Sequence, residues 1–159
     1  MSNRIVSTAI LALALGGVAS LSHADSGQFV GQWHWNRTES SVAPDEPLPR
    51  DVVLKISSAE AARVQWTLTT VDSRGEQHVE SYTGAGDGKP AAIAGGPAGT
   101  TGAFTLIGDA LEGTYTNQDG SSDRSSCTVS ADREKMTCRG TESDGKGHSM
   151  NYVDVYDRQ

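Results

Sequence analysis

Apolar side chains recur at every second position through most of the chain after residue 27. In QFVGQWHW the alternate positions are Phe29, Gly31, Trp33 and Trp35, and the same spacing continues in DVVLKIS, RVQWTLT, AFTLIG, LEGTYT, CTVS, KMTC and SMNYVDVYD. Successive side chains of a β-strand point to opposite faces, so this period predicts strands that are buried on one face. Only SSAEAARV (57–64) hints at a helix, and it is short.

Turn signals separate these runs at short intervals. Asp-Gly and Gly-Asp pairs are typical of tight hairpins, because glycine adopts the positive φ that such turns require. The turn signals are Asp72-Ser73-Arg74-Gly75, Asp87-Gly88, Gly108-Asp109, Asp119-Gly120 and Asp144-Gly145. We therefore predict an all-β fold, a single antiparallel up-and-down barrel of eight to ten strands. Closing the meander removes exposed sheet edges.

Two stretches interrupt the alternation. Residues 36–51 contain Pro44, Pro47 and Pro49 and are not strand throughout, since proline cannot donate to the hydrogen-bond ladder. We expect this Pro-rich segment to lie over one end of the barrel. Residues 83–103 are rich in glycine, and we interpret them as a loop or a weak edge strand.

The first residues resemble an export signal. A short basic start is followed by the apolar run from Ile5 to Val18, and Ser22-His23-Ala24 provides small residues for cleavage before Asp25. The run is shorter than the ~20 residues that span a bilayer. We expect residues 1–24 to be a signal peptide, residues 25–159 to be one exported domain without a membrane span, and its location to be periplasmic or extracellular.

The two cysteines fit an oxidising compartment. In CTVSADREKMTC, a turn at Ala131-Asp132-Arg133-Glu134 places Cys127 opposite Cys138 on antiparallel strands. Opposed Cβ atoms lie about 4.5–5.5 Å apart, so a small adjustment closes a disulfide. We predict a structural disulfide rather than a redox-active pair, because no CxxC motif is present.

The charge balance narrows the range of partners. The chain carries 13 Lys and Arg against 20 Asp and Glu, a net charge of −7, with no basic cluster. Nucleic acids and anionic membranes attract clustered cations, so neither is an expected partner. We expect a monomer without a cofactor.

No residue pattern indicates catalysis. His34, His78 and His148 lie on separate predicted strands without metal-binding spacing, and we expect them to face solvent and to hold no metal. No GxSxG motif is present. Asp154 has apolar neighbours on both sides, and it faces either Tyr152 and Tyr156 or solvent; a half-exposed strand acid is the default interpretation. We expect no enzymatic activity.

The opening strand carries a family resemblance. Gly31-Gln32-Trp33 resembles the G-x-W signature of the first strand of lipocalins and other calycins. The wider pattern resembles a group of small exported bacterial proteins of uncharacterised function, through Gly31, Trp33, Asn36, Pro44, Tyr82, Asp87, Gly88, Lys89, Gly140, Thr141, Gly145, Lys146, Val155, Tyr156 and Gln159. The resemblance covers most of residues 29–159 and implies a lipocalin-like barrel. It implies no activity, and the helix that follows the last strand in true lipocalins has no counterpart in this sequence.

Two functions remain open. An eight-stranded barrel holds side chains or one small ligand, and ten strands leave more room. The first hypothesis is therefore binding of a small apolar or aromatic ligand in the interior, with candidate lining residues Trp33, Trp35, Trp66, Phe104, Tyr115 and Tyr152. Trp33 and Trp66 also suit a plug at the closed barrel end. The alternative is a structural or inhibitor-like interaction protein that acts through the loop at 37–51.

Overall fold

A computed structural model describes residues 26–41 and 48–159. Within these residues, a short 3-10 helix at Ser26–Gln28 precedes ten strands. The strands are β1 (Gly31–Trp35), β2 (Asp51–Glu60), β3 (Arg63–Val71), β4 (Gln77–Gly84), β5 (Ala91–Ala94), β6 (Thr101–Ile107), β7 (Ala110–Thr116), β8 (Ser122–Val129), β9 (Lys135–Ser143) and β10 (Ser149–Arg158).

The strands form one closed barrel in which each strand pairs antiparallel with its sequence neighbour. Strand β1 closes the barrel against β10, with Trp33 opposite Arg158 and Trp35 opposite Tyr156. The predicted all-β, up-and-down antiparallel barrel is confirmed, with the strand number at the upper limit. Such a barrel is consistent with the calycin-like fold that the G-x-W signature implies.

One end of the barrel is closed by packed side chains. Phe29, Trp33 and Met136 are fully buried there, and Trp33 Nε1 donates a 2.8 Å hydrogen bond to the Phe29 carbonyl. The guanidinium of Arg158 lies 4.1 Å from the centre of the Trp33 ring, a cation–π distance. The inward direction predicted for Phe29, Trp33 and Trp35 is confirmed. We call this region the closed end.

Gly31 is required by this packing. Its φ of +149° is a conformation that side chains rarely adopt, and a Cβ atom there would lie 2.6 Å from Arg158 Nη1. The glycine of the G-x-W signature therefore makes room for the arginine that covers the tryptophan.

The helix hint at residues 57–64 is wrong. Ser57–Glu60 continue β2, Ala61 and Ala62 form a tight turn, and β3 begins at Arg63. A β-bulge between Ile56 and Ser58 shifts the alternation so that Ala59 is buried. The apolar positions on the two sides of the bulge are out of phase, so the alternation that indicates a strand is interrupted in the sequence.

The Gly-rich segment contains a strand in the barrel wall. Strand β5 has four residues, and its ladders include Tyr82 opposite Ile93 on one side and Ala91 opposite Gly102 on the other. The interpretation as a loop or edge strand is therefore wrong for residues 91–94, because β5 is paired on both sides. Its shortness still makes it the least extensively paired part of the wall.

The predicted disulfide is confirmed. Cys127 and Cys138 are bonded, are directly opposite in the β8–β9 ladder, and have Cα atoms 4.0 Å apart. The turn at residues 131–134 is closed by the hydrogen bond from Ser130 N to the Lys135 carbonyl.

Some predictions fall on residues outside the described part. The signal peptide at residues 1–24 lies there, as do Pro44 and Pro47 of the Pro-rich segment. Within the described ranges, Asn36–Ser41 runs along β10, where Ser41 pairs with Val153. None of the helices described is long and apolar enough to cross a membrane.

Candidate functional site

The barrel interior beyond the closed end contains a cavity of about 260 Å³. Its lining divides into two walls of different chemistry. The apolar wall comes from β2, β3, β6 and β7 and consists of Leu54, Ile56, Trp66, Leu68, Phe104 and Leu111. The polar wall comes from β8, β9 and β10 and consists of Asp123, Ser125, Glu142, Tyr152, Asp154 and Tyr156. Tyr115, the disulfide, Gly113 and Met136 complete the lining.

Aromatic rings pack against one another on the apolar wall. Trp66 stacks on Tyr82 with ring centres 5.9 Å apart and meets Phe104 edge-on at 5.8 Å. Phe104 in turn meets Tyr115 edge-on at 5.6 Å. These are favourable aromatic arrangements, so the rings hold one another in place around the cavity.

Trp66 and Tyr82 each leave a polar atom without a partner. Trp66 is 3% exposed, and neither its Nε1 nor the Tyr82 hydroxyl has a hydrogen-bond partner in the structure. Buried polar atoms are satisfied in the great majority of cases, so such exceptions need an explanation. Of the two side chains, Trp66 lines the cavity.

On the polar wall, Tyr152 reaches across a neighbouring strand to an aspartate. Its hydroxyl donates to both carboxylate oxygens of Asp123, at 2.8 and 3.0 Å. Tyr152 is on β10 and Asp123 on β8, with Gly140 of β9 between them, directly opposite Tyr152. A Cβ atom on Gly140 would overlap the Tyr152 ring. The glycine therefore allows the tyrosine to lie flat across β9.

A second aspartate is held by a tryptophan. Trp35 Nε1 donates a 2.8 Å hydrogen bond to Asp154 Oδ1. Asp154 lines the cavity together with Tyr152 and Tyr156. Of the two orientations open for Asp154, the structure shows the one shared with the tyrosines, and the side chain there is partly buried.

Both aspartates are in surroundings that disfavour ionisation. Burial raises the pKa of the Asp123 carboxyl, and the neighbouring Asp154 raises it further, against the opposing effect of the Tyr152 hydrogen bond. Burial likewise raises the pKa of Asp154, against the opposing Trp35 bond. The pKa values of Tyr115, Tyr152 and Tyr156 are also raised, chiefly by burial. The cavity thus combines apolar surface with carboxyl groups that are short of stabilising partners.

The six candidate lining residues separate into two groups. Trp66, Phe104, Tyr115 and Tyr152 line the cavity. Trp33 instead plugs the closed end, which is one of the two interpretations that the sequence allowed for it. Trp35 contacts the cavity indirectly, through its hydrogen bond to Asp154. Trp66 lines the cavity and is at the same time a buried core residue, with 3% of its surface exposed.

The histidines each lie near an aspartate. His34 Nε2 is 2.5 Å from Asp51 Oδ1, and His148 Nδ1 is 2.8 Å from Asp144 Oδ2. His34 is only half exposed, less open than the solvent-facing position predicted for it.

His78 belongs to the one group of three metal-capable side chains among the described residues, with Asp72 and Glu76. Arg74 forms ion pairs with both acids of that group. Backbone hydrogen bonds, first from Glu76, lower the pKa of Asp72 to about 2. The ion pairs and hydrogen bonds of this charged turn explain why the three side chains lie close together.

Sequence reasoning missed Asp123, Ser125 and Glu142 as lining residues. The signal was present in the alternation, because Asp123 and Ser125 share a face with Cys127, and Glu142 shares a face with Cys138. A polar side chain at an inward position does not register in a hydrophobic pattern. The disulfide therefore identifies the inner face of these two strands better than the apolar residues do.

Comparison with known proteins adds no assignment. No protein-family model matches the chain, and no curated protein matches it. The cavity is consequently interpreted from its own residues.

Proposed function

We propose that this protein is an exported lipocalin-like binding module that holds one small, partly apolar molecule inside its barrel. The observation that carries the proposal is the cavity of about 260 Å³ enclosed by the barrel strands. Pockets for drug-sized ligands occupy roughly 300–1,000 Å³, so this cavity suits a somewhat smaller molecule. Mostly apolar walls with a few placed polar groups are the usual composition of such sites.

Two features support export to the periplasm or the exterior. Residues 1–24 have the composition of a signal peptide, and Cys127 and Cys138 form a disulfide. Disulfides form and persist mainly in oxidising compartments. The resemblance to small exported bacterial proteins supports the same location.

The proposed role is binding without catalysis. His34 and His148 are paired with aspartates away from the cavity, and no histidine is among the described residues that line it. This arrangement supports recognition of a ligand.

Native mass spectrometry of the protein purified from its own compartment tests the proposal. We expect a retained small molecule, and a raised melting temperature when ligand-free protein meets the matching member of a panel of lipids, haem and aromatic metabolites. Ser125→Leu, which fills the cavity from the polar wall, should abolish both effects. Thr128→Leu makes the same change at an exposed position of the same strand and should leave them intact.

If the wild-type protein retains nothing and responds to no compound, ligand binding is refuted. The alternative would then gain support: an interaction protein that acts through the loop at 37–51. Equal loss of the retained molecule in both leucine variants would also count against binding in the cavity.

A further inference from the structure

The cavity lining contains three carboxyl groups, those of Asp123, Glu142 and Asp154, and no cationic side chain. Among the described residues that line it, none is Lys, Arg or His. The hydrogen-bond partner that the structure shows for Asp123 is the Tyr152 hydroxyl, and that for Asp154 is the Trp35 indole. These donors are neutral, so neither aspartate is neutralised by them.

Asp123 and Asp154 are both partly buried. Partial burial makes a carboxylate without a cationic partner less favourable than the same group in water, and proteins usually pair or neutralise such a group. A carboxylate has about four acceptor sites. The Tyr152 and Trp35 bonds therefore leave acceptor capacity on both Asp123 and Asp154.

Both aspartates are held in fixed orientations. Asp154 accepts from a tryptophan that is itself 7% exposed, and Asp123 accepts from a tyrosine that lies over Gly140. Groups held in place by packed neighbours lose little freedom on binding, so they are suited to recognise a ligand. Their shared requirement is a donor that carries positive charge.

An independent observation comes from the opposite wall. Trp66 lines the cavity, is 97% buried, and its Nε1 has no acceptor. Its ring and those of Phe104 and Tyr115 form an aromatic surface that faces the polar wall. Aromatic faces attract cations and pack against apolar bodies.

On these grounds, and resting on the proposed role as a binding module, we propose that the ligand is a small protonated amine with an aromatic or apolar body. Its ammonium group donates to Asp123 and Asp154 on the polar wall. Its body packs against Trp66 and Phe104 on the apolar wall. The two walls thus recognise the two ends of one amphipathic cation.

A hard metal cation fits this cavity less well. Ca²⁺ takes six to eight oxygen ligands, and Mg²⁺ requires a near-octahedral set of oxygens. One half of the cavity lining is apolar or aromatic and offers no such ligands. The apolar wall therefore favours an organic cation.

Three probes of nearly equal shape test the inference by isothermal titration calorimetry at neutral pH. They are phenethylamine, which is cationic, phenethyl alcohol, which is neutral, and hydrocinnamate, which is anionic. We expect the amine to bind at least tenfold more tightly than the alcohol, and the anion to bind most weakly. Charge-assisted hydrogen bonds are roughly twice as strong as neutral ones, which sets this order.

Asp154→Asn and Asp123→Asn should each reduce the preference for the amine over the alcohol at least severalfold. The asparagine side-chain oxygen can still accept from Trp35 or Tyr152, so these variants retain the neutral hydrogen bonds. Asp109→Asn removes the same charge from an exposed turn and should leave the preference unchanged. Circular dichroism of each variant establishes that the barrel is folded.

The outcomes separate this inference from the function on which it rests. Binding of the alcohol as tightly as the amine, or an amine preference that Asp109→Asn reduces as much as Asp154→Asn does, overturns the amine inference alone. Absence of binding by all three probes, together with absence of a retained molecule in native mass spectrometry, overturns both.

Discussion

Charged side chains at the two ends of the barrel interior have different kinds of partner. At the closed end, Arg158 is satisfied by the Gln28 and Val30 carbonyls, at 2.6 and 2.9 Å, and by the face of Trp33. In the cavity, Asp123 and Asp154 have neutral donors only. The same strand, β10, supplies Arg158 and Asp154. At one end the charged side chain has several partners, whereas in the cavity the hydrogen-bond donors shown for Asp123 and Asp154 are neutral.

Trp33→Ala should cause the largest loss of stability, because it removes the packing of the closed end. Replacing a fully buried tryptophan with alanine costs about 3–5 kcal/mol, because it removes packed surface and leaves a void. Urea denaturation monitored by circular dichroism measures the loss. Trp33→Phe is the control, and it should lose less because most of the ring packing remains. A loss below about 1 kcal/mol for alanine would show that the closed end is not the stabilising region.

Removal of the disulfide should have the next largest effect. Cys127→Ser combined with Cys138→Ser should lower the free energy of unfolding by about 3 kcal/mol, the chain-entropy value for a short loop. The fold should persist, since the β8–β9 ladder remains. Thermal melting measures the change. Titration of two free thiols in the unreduced wild-type protein would contradict the bond itself.

Gly140→Ala should act on the cavity side alone. The added methyl group displaces Tyr152 from β9, and overpacking of this kind costs about 1–3 kcal/mol. Affinity for the amine probe should fall as well, because Tyr152 no longer orients Asp123. Gly96→Ala is the matched control, since its Cβ atom would meet the end of the flexible Glu80 side chain at 3.1 Å and would be in ordinary contact with Ile93 Cγ2 at 3.6 Å. Equal losses in the two variants would contradict the assigned role of Gly140.

Asp154→Asn should produce the smallest change, and it is a gain. The folded-state pKa of Asp154 lies above the unfolded value, so ionisation destabilises the ligand-free fold as pH rises through that pKa. The variant should therefore melt slightly above the wild type at neutral pH. The difference should vanish as the pH falls below the unfolded pKa, where the wild-type carboxyl is protonated in both states.

The wild-type protein and the variant share the other ionisable side chains that line the cavity. These are Asp123, Glu142, Tyr115, Tyr152 and Tyr156. Differential scanning calorimetry of ligand-free protein across about pH 3–8, which extends below the unfolded pKa of an aspartate, measures the difference in melting temperature, and Asp109→Asn provides the charge control. A variant that melts below the wild type at neutral pH would show that Asp154 stabilises the empty barrel.

The fold was more predictable than the site, and particular residues show why. The face on which a strand side chain lies follows from a local period of two, so Phe29, Trp33 and Trp35 could be assigned to one buried face from their neighbours alone. The β8–β9 register followed from the cysteines. The approach of Tyr152 to Asp123 could not be predicted in this way. It depends on a contact across three strands, and on Gly140, whose missing side chain has no hydrophobic signal.

The polar wall could not be predicted from the hydrophobic pattern for a related reason. Asp123 and Ser125 occupy inward positions where alternation expects apolar residues, so β8 appeared strand-like only near Cys127. Functional sites are where a sequence departs from the pattern that forms its fold. Here that departure lies along β8 and β10, the two strands that supply the cavity aspartates.

The pairing of β1 with β10 also has a kinetic consequence. Trp35 and Asp154, which join these strands, are 119 positions apart, whereas the other neighbouring strands are connected by turns or loops. Contacts between distant segments form late, because the loop-closure entropy must first be overcome. We therefore expect β1 to β10 to assemble first as an open, curved meander in which β1 and β10 are the two unpaired edges. During that interval, the amide groups along β1 and β10 are exposed to pairing with other chains.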